Sequence, residues 1–232
     1  MKKPNIFKYY KTSPEIIKLA VMYYVRFPLS LRNVEDILHE RGVDVCHETI
    51  RYWWNKFGGH FAKELRKANK HKPSHWRWHV DEVFVKINGK THYLWRAIDH
   101  EGVVIDCYVS TKRNTKAALK FLRKSIRRYG FPKEIVTDKL KSYGAALRKL
   151  DAAHLQRTGR YTNNMVENSH LPFRRRERGM NRFRLANSLQ KFVSIHAVFQ
   201  NHLNNQRNLN NRENYKKLRG ISLSQWSEIA VS

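Results

Sequence analysis

The chain is short of acid. Nineteen Asp and Glu stand against 46 Lys and Arg in 232 residues, a formal net charge of +27. Cysteine is almost absent: Cys46 and Cys107 lie 61 positions apart. That excludes a disulfide framework and any cysteine-based metal spacing, and it points to a reducing cytosol. No apolar run approaches the roughly 18 residues that a membrane span needs, so no membrane partner is expected. The opening MKKPNIFKYYK is basic but is followed by no continuous apolar stretch, so no signal peptide is expected. No internal repeat is visible.

What is present is positive charge, spread evenly. Sections divided after residues 75 and 171 carry +8, +10 and +9. The excess is therefore no property of a single tail. A chain so charged repels itself unless a polyanion is near, which makes nucleic acid the leading partner. A membrane surface is the weaker alternative.

Residues 12–57 read as three helices. Ser13-Pro14 is a cap followed by proline at the first helical position, and Ile16, Ile17, Leu19, Ala20, Tyr23 and Tyr24 recur at helical spacing. Ser30 caps a second helix that stops at Gly42. HETIRYWWNKF then places Ile50, Trp53, Trp54 and Phe57 on one side of a third. Helix, short turn and helix is the helix-turn-helix pattern, whose second helix enters the major groove; here its start presents His47, Glu48 and Arg51. A small bundle that only packs on its neighbour is the other reading. We assign residues 1–65 to a helix-turn-helix DNA-binding domain and 66–75 to a basic linker lying along phosphates.

From Trp76 the pattern changes to strands. WHVDEVFVKI, THYLWRAID and VVIDCYVS are rich in β-branched and aromatic residues, and Asn88-Gly89 and Glu101-Gly102 mark two hairpin turns. An amphipathic helix over 115–129 turns Ala118, Leu119, Leu122 and Ile126 inward and Lys and Arg outward. A fourth strand, EIVTD, follows it, so the crossover favours parallel pairing. A short helix over 142–150, a fifth strand in HLQRT (154–158), a helix from Asn163 and another over 187–204 complete the order. Three strands, helix, strand, helix, strand, helix is the element order of a ribonuclease-H-like domain. The expected fold is therefore α/β: a ribonuclease-H-like mixed sheet flanked by helices over 76–204, preceded by the all-α helix-turn-helix domain. Residues 205–232 form a basic C-terminal tail, solvent-facing or disordered over 205–219.

In a chain this basic, the few acids invite a census. Strand alternation puts Asp81 with Val83 and Val85 on one face and Glu82 with Phe84 on the other. Asp138 ends the fourth strand, where groups in open α/β sheets converge on a crevice. Glu167 lies on a later helix. Carboxylates gathered at one place bind Mg²⁺ through hard oxygen ligands, and two such ions can drive phosphodiester displacement. Each acid also has an ordinary reading. Asp81 can pair with an arginine, Asp138 can close an Asx turn before the next helix, and Glu167 can form a capping box with Asn164. Asp99 and Asp106 compete as site acids, though Asp99 sits at a hairpin turn where Asp is commonplace.

HVDEVFVKINGKTHYLWRAID, IVTDKLKSYGAAL and GRYTNNMVENSHLPFRRRERGMNRF together closely resemble the three blocks of bacterial insertion-sequence transposases of the family numbered six, the cointegrate-forming type. These are relatives of retroviral integrases with a DDE catalytic triad, and the resemblance covers about residues 10–205. It implies that Asp81, Asp138 and Glu167 are the catalytic, metal-binding acids, holding two Mg²⁺ ions with Mn²⁺ as substitute. It further implies that the N-terminal helices recognise the element's terminal inverted repeats, and that double-stranded DNA serves as both substrate and target. A homo-oligomer, at least a dimer, would bring two ends together in the bacterial cytosol, associated with the nucleoid. Lys139 stands beside the second Asp. Arg174, seven positions after Glu167, matches the family's basic residue near the cut.

On a continuous helix Glu167, His170 and Arg174 share a face, but Pro172 should break it near Leu171. His170 is read either as a site contact or as packing, while Arg175, Arg176 and Arg178 are expected to touch DNA phosphates. Between Asp138 and Glu167 lie 28 residues, fewer than is usual in the family; the missing length falls around the fifth strand. Two rivals remain at this point: an inactive helix-turn-helix DNA-binding protein, and a metal-dependent nuclease of the same fold.

Overall fold

A computed structural model of the chain describes residues 6–68, 76–159, 164–180, 182–203 and 210–229; the side chains of Asn164 and Glu167 lie outside that description. The chain divides into two compact units, one of residues 1–70, 178–181 and 198–232, the other of residues 71–177 and 182–197.

The first unit is helical. Helix α1 (Pro14–Arg26) starts at Ser13, whose hydroxyl accepts the Ile16 N–H, and buries Ile17, Ala20, Val21 and Tyr24. Helix α2 (Leu31–His39) starts with a complete capping box between Ser30 and Asn33. Gly42 turns the chain with φ +75°, a conformation that costs glycine little, and the Val43 N–H donates back to the Leu38 carbonyl at 2.9 Å. Helix α3 (His47–Ala68) then buries Ile50, Trp53, Trp54 and Phe57, as the spacing requires. It does not stop there. Phe61, Ala62 and Leu65 continue the buried stripe, so residues 66–68 of the expected linker are helical; residues 69–75 lie outside the described residues. A Cβ on Gly58 would meet the Trp54 ring at 2.7 Å, so this glycine makes room for the indole.

The expected tail needs correcting. Residues 212–228 form helix α9 (Arg212–Glu228), capped by Asn211, whose Oδ1 accepts the Asn214 N–H. Its first half is exposed and polar, which is why composition read it as unstructured. Its second half buries Trp226 between Phe61 and Phe199, with ring centroids 5.3 and 5.2 Å away.

The second unit is built on a five-stranded sheet in the order β3-β2-β1-β4-β5. Strands β1 (Arg77–Ile87), β2 (Lys90–Asp99) and β3 (Val104–Ser110) form an antiparallel meander. Asn88 and Gly89, both with positive φ, make the tight turn that asparagine-glycine favours. Helix α4 (Thr115–Tyr129) carries the chain over to β4 (Glu134–Thr137), which pairs parallel to β1; β5 (Gln156–Arg157) pairs parallel to β4 and is two residues long. Helix α5 (Lys141–Arg148) lies between them in sequence. Ala118, Phe121 and Leu122 of α4 pack with Tyr143, Ala146 and Leu147 of α5 onto Trp78, Val80 and Trp95 of the sheet.

Helices α6 (Asn164–Ser169) and α7 (Leu171–Gly179) are separated by a break at His170, where Pro172 interrupts the backbone ladder. Helix α8 (Ala186–Leu203) follows. From it, Gln190 reaches the outer side of β3: its Oε1 accepts the Val109 N–H at 2.8 Å, and its Nε2 donates to the Cys107 carbonyl at 3.1 Å. This is the ribonuclease-H-like mixed sheet flanked by helices, with an N-terminal helical region. Among the described residues no helix is long and apolar enough to cross a membrane.

Phe121→Ala should lower unfolding stability by about 3–5 kcal/mol, because a fully buried ring is replaced by a cavity. Arg123→Ala, on the exposed side of the same helix, should stay within about 0.5 kcal/mol. Urea unfolding of the two variants measures both.

Candidate active site

The parallel pairing of β1 and β4 runs from Arg77↔Glu134 to Val80↔Thr137. The next residues in the two chains are Asp81 and Asp138, so the register delivers two carboxylates to one end of the sheet. Asp81, Glu82 and Asp138 each offer an oxygen, and these oxygens all lie within 4.8 Å of one another. Burial pushes the Asp138 carboxyl above its usual range, and the neighbouring Asp81 adds to this; the Leu140 N–H and Arg113 oppose it. The turn reading of Asp138 is compatible with a place in the cluster. Its Oδ1 accepts the Leu140 N–H at 3.0 Å, closing the turn into α5, while Oδ2 faces the cluster, 3.7 Å from an Arg113 nitrogen.

Asp81 and Glu82 point to opposite faces of β1, as alternation requires. On the Asp81 side, the His170 Nε2–H donates to Oδ2 at 3.2 Å. Arg96, the cross-strand partner of Asp81 in β2, is buried on the same side. Burial lowers the His170 pKa, with Arg96 and Arg174 acting in the same direction and Asp81 against it. Glu82 is buried at the edge of the α4–α5 core. The Tyr143 hydroxyl donates to one of its oxygens at 2.8 Å and the Arg113 guanidinium binds the other. Burial still raises its pKa.

The structure brings Asp81, Asp138 and His170 together. Glu167 lies on α6, a helical turn ahead of His170, and α6 lies against β1 and β2. Its side chain and its capping box with Asn164 fall outside the described residues. Lys139 is exposed just past Asp138. The Arg174 guanidinium donates to Glu177 and to the Phe84 carbonyl, each at 2.7 Å. Arg175 and Arg178 are exposed on α7.

One expectation is corrected. Arg176 is no DNA contact: it is only 1% exposed, with its guanidinium 5.4 Å from the Phe192 ring centroid. The break at His170 sets the facing of α7 so that Phe173 and Arg176, three residues apart, turn inward together. His170 faces Asp81, in keeping with its reading as a site contact.

In the helical unit, the His47 Nδ1–H donates to Glu35 at 2.8 Å and Arg51 pairs with Glu48 at 3.0 Å. The competing acids are occupied elsewhere. Asp99 accepts the Glu101 and Val103 N–H groups in its turn, and Asp106 pairs with Lys124 at 3.0 Å. Cys107 is buried, its thiol pushed up to about 11, so it has no nucleophilic role.

Sequence reasoning missed Arg113 and Tyr143. They lie 31 and 61 positions from Glu82, with no local spacing to link them. The available signal was an acid on the core-facing side of a strand, which burial obliges to find a partner. The donor set at Asp81 and Asp138 is all carboxylate oxygen, which suits a hard divalent cation.

Paired aspartates at the ends of β1 and β4 give an all-oxygen site of the kind that metal-assisted phosphodiester chemistry uses. Residues 75–206 match the family DDE_Tnp_IS240, described as a DDE domain. The transposase for insertion sequence-like element IS431mec of Staphylococcus aureus strain Mu50 is 33% identical over 202 residues, covering 84% of this chain and 89% of that protein. The transposase of element IS257 in transposon Tn4003 of S. aureus is 32% identical over the same shares. Among solved structures, the HTLV-2 integrase catalytic core in complex with magnesium is similar over 57% of this chain and 90% of that one, at 16% identity and TM-score 0.43. The chain belongs to the DDE-domain transposases of bacterial insertion sequences.

Because the folded state raises the Asp138 pKa, it holds its proton longer than the unfolded chain does, and stability falls as pH rises through the carboxylate range. Asp138→Asn should therefore raise the melting temperature in EDTA at neutral pH, and the gain should vanish once pH drops below the ordinary Asp range. Tyr143→Phe should cost about 1–3 kcal/mol by leaving a buried carboxylate oxygen without its donor, measured by denaturant unfolding.

Proposed function

We propose that Asp81, Asp138 and Glu167 together hold two divalent ions, Mg²⁺ or Mn²⁺, at the end of the β1–β4 pair. The approach of Asp81 to Asp138 carries this reading: carboxylate oxygens gathered at the end of two neighbouring strands form a donor set suited to a hard divalent cation. When bound, such ions activate an attacking oxygen and stabilise the departing one. His170 keeps the Asp81 carboxylate oriented through its Nε2–H. Glu82 is held by Arg113 and Tyr143 and supports the strand rather than the ions. Lys139, Arg174, Arg175 and Arg178 supply positive charge to DNA phosphates around the cut.

The enzyme cuts one strand at each element end with water. It then uses the freed 3′-hydroxyl to attack target DNA, with no covalent protein–DNA intermediate. The N-terminal helices select the terminal inverted repeats through the start of α3. His47 and Arg51 give up their pairing with Glu35 and Glu48 for base edges and phosphates. Two ends must be processed together, so the working form is a homo-oligomer of at least two chains, acting at the nucleoid in the cytosol.

Strand joining of labelled end DNA with Mg²⁺ or Mn²⁺ tests the whole scheme. Asp81→Asn, Asp138→Asn and Glu167→Gln should each reduce joining by at least about 10³-fold, as removal of a core catalytic group does. Calorimetric Mn²⁺ binding should weaken in parallel. Wild-type joining in all three variants would sink the assignment, and nicking without joining would make the protein a nuclease.

A further inference from the structure

Between Asp106 and Glu134 the chain contains nine Lys and Arg and no acid. Most of this excess is mounted on α4. Lys116, Lys120, Arg123 and Arg127 follow each other at intervals of four, three and four residues, which aligns them in one narrow stripe of the helix. All four are exposed. The opposite side of α4 is the core face of Ala118, Phe121 and Leu122. The stripe borders two adjoining concavities, of about 640 and 730 Å³, which share Lys116 and Lys120. Lys124, at the margin, is neutralised by Asp106 at 3.0 Å; among the described residues no acid is recorded pairing with the four cations of the stripe.

The stripe is continuous with the acid cluster. Asn114 caps α4, and Arg113, one residue earlier, touches Glu82 and Asp138. A polyanion lying along α4 therefore leads to the catalytic acids without crossing a negative surface. From Lys116 to Arg127 the helix rises about 16 Å, a length over which a duplex carries roughly ten phosphates. A second copy of this chain would meet the stripe with the same sign of charge. A lipid surface would call for apolar side chains beside the cations, and the exposed side of α4 offers only the half-buried Leu119.

We infer that the outer face of α4 is a separate binding track for duplex DNA, contacting phosphates without reading sequence and feeding the duplex to Asp81 and Asp138. The inference deepens the proposed function by assigning a surface, distinct from the helix-turn-helix, to DNA without terminal repeats.

The test is equilibrium binding of the full chain to a random-sequence duplex in EDTA across a salt series. The Lys120→Gln, Arg123→Gln, Arg127→Gln triple variant should lower the slope of log affinity against log salt by about 2–3, close to one per lost phosphate contact. Its affinity near physiological salt should fall on the order of 10-fold or more. The charge-keeping triple, Lys120→Arg, Arg123→Lys, Arg127→Lys, should bind like wild type, and both triples should melt like wild type. An unchanged slope in a folded glutamine variant overturns the inference, as does an equal loss in the charge-keeping variant. Because no cutting occurs in EDTA, failure of the joining assay would count against the transposition scheme alone and leave this result standing.

Discussion

The parallel register between β1 and β4 is the constraint on which the rest of the second unit depends. Ending the pairing at Val80↔Thr137 makes Asp81 and Asp138 the next residues of the two chains. A parallel pair cannot be closed by a tight turn, so the chain must leave the sheet and return through a helix. That crossover is α4, and its entry loop brings Arg113 back to the same sheet end. One pairing choice thus positions both aspartates, the guanidinium beside them and the helix that carries the densest positive stripe. A one-residue slip would send Asp81 or Asp138 to the wrong face.

Collecting carboxylates in a half-buried place is unfavourable, and the surroundings show how the cost is met. Glu82 is satisfied by two donors from different elements, Arg113 and Tyr143. Asp138 is anchored by a backbone N–H, and Asp81 by His170. Arg96 lies on the Asp81 side of the sheet, and its field and that of Arg176 help to hold His196 neutral, its pKa lowered to about 3 chiefly by burial. The protein's large positive charge is therefore not uniform. Part of it is buried with Arg96 and Arg176, and much of the rest is exposed to solvent.

Much of this was legible in the residues. Capping at Ser13 and Ser30, the asparagine-glycine turn, the period-two strands and the proline break before α7 are local rules, and local rules survive folding. Asp81 and Asp138 were legible because strand position and a crossover place them. What escaped was what distance in sequence hides. In sequence Glu82 is only an acid sharing a strand face with Phe84, until α5 delivers Tyr143 against it. Arg176 sits in a run of arginines that looks uniformly solvated; only the facing of α7 after its break separates the buried one from Arg175 and Arg178. Helix α9 was missed because its polar first half dominates its composition, while Trp226, its main anchor, comes near its end. The short span before Glu167 has its counterpart in the two-residue β5.

The two sides of the sheet end differently from most open sheets. On one side β5 offers almost no backbone for another strand to join. On the other, the Gln190 side chain occupies the outward N–H of Val109 and carbonyl of Cys107, standing in for a neighbouring strand. A single amide thus takes up two of the outward backbone groups that another strand would need at the longer edge.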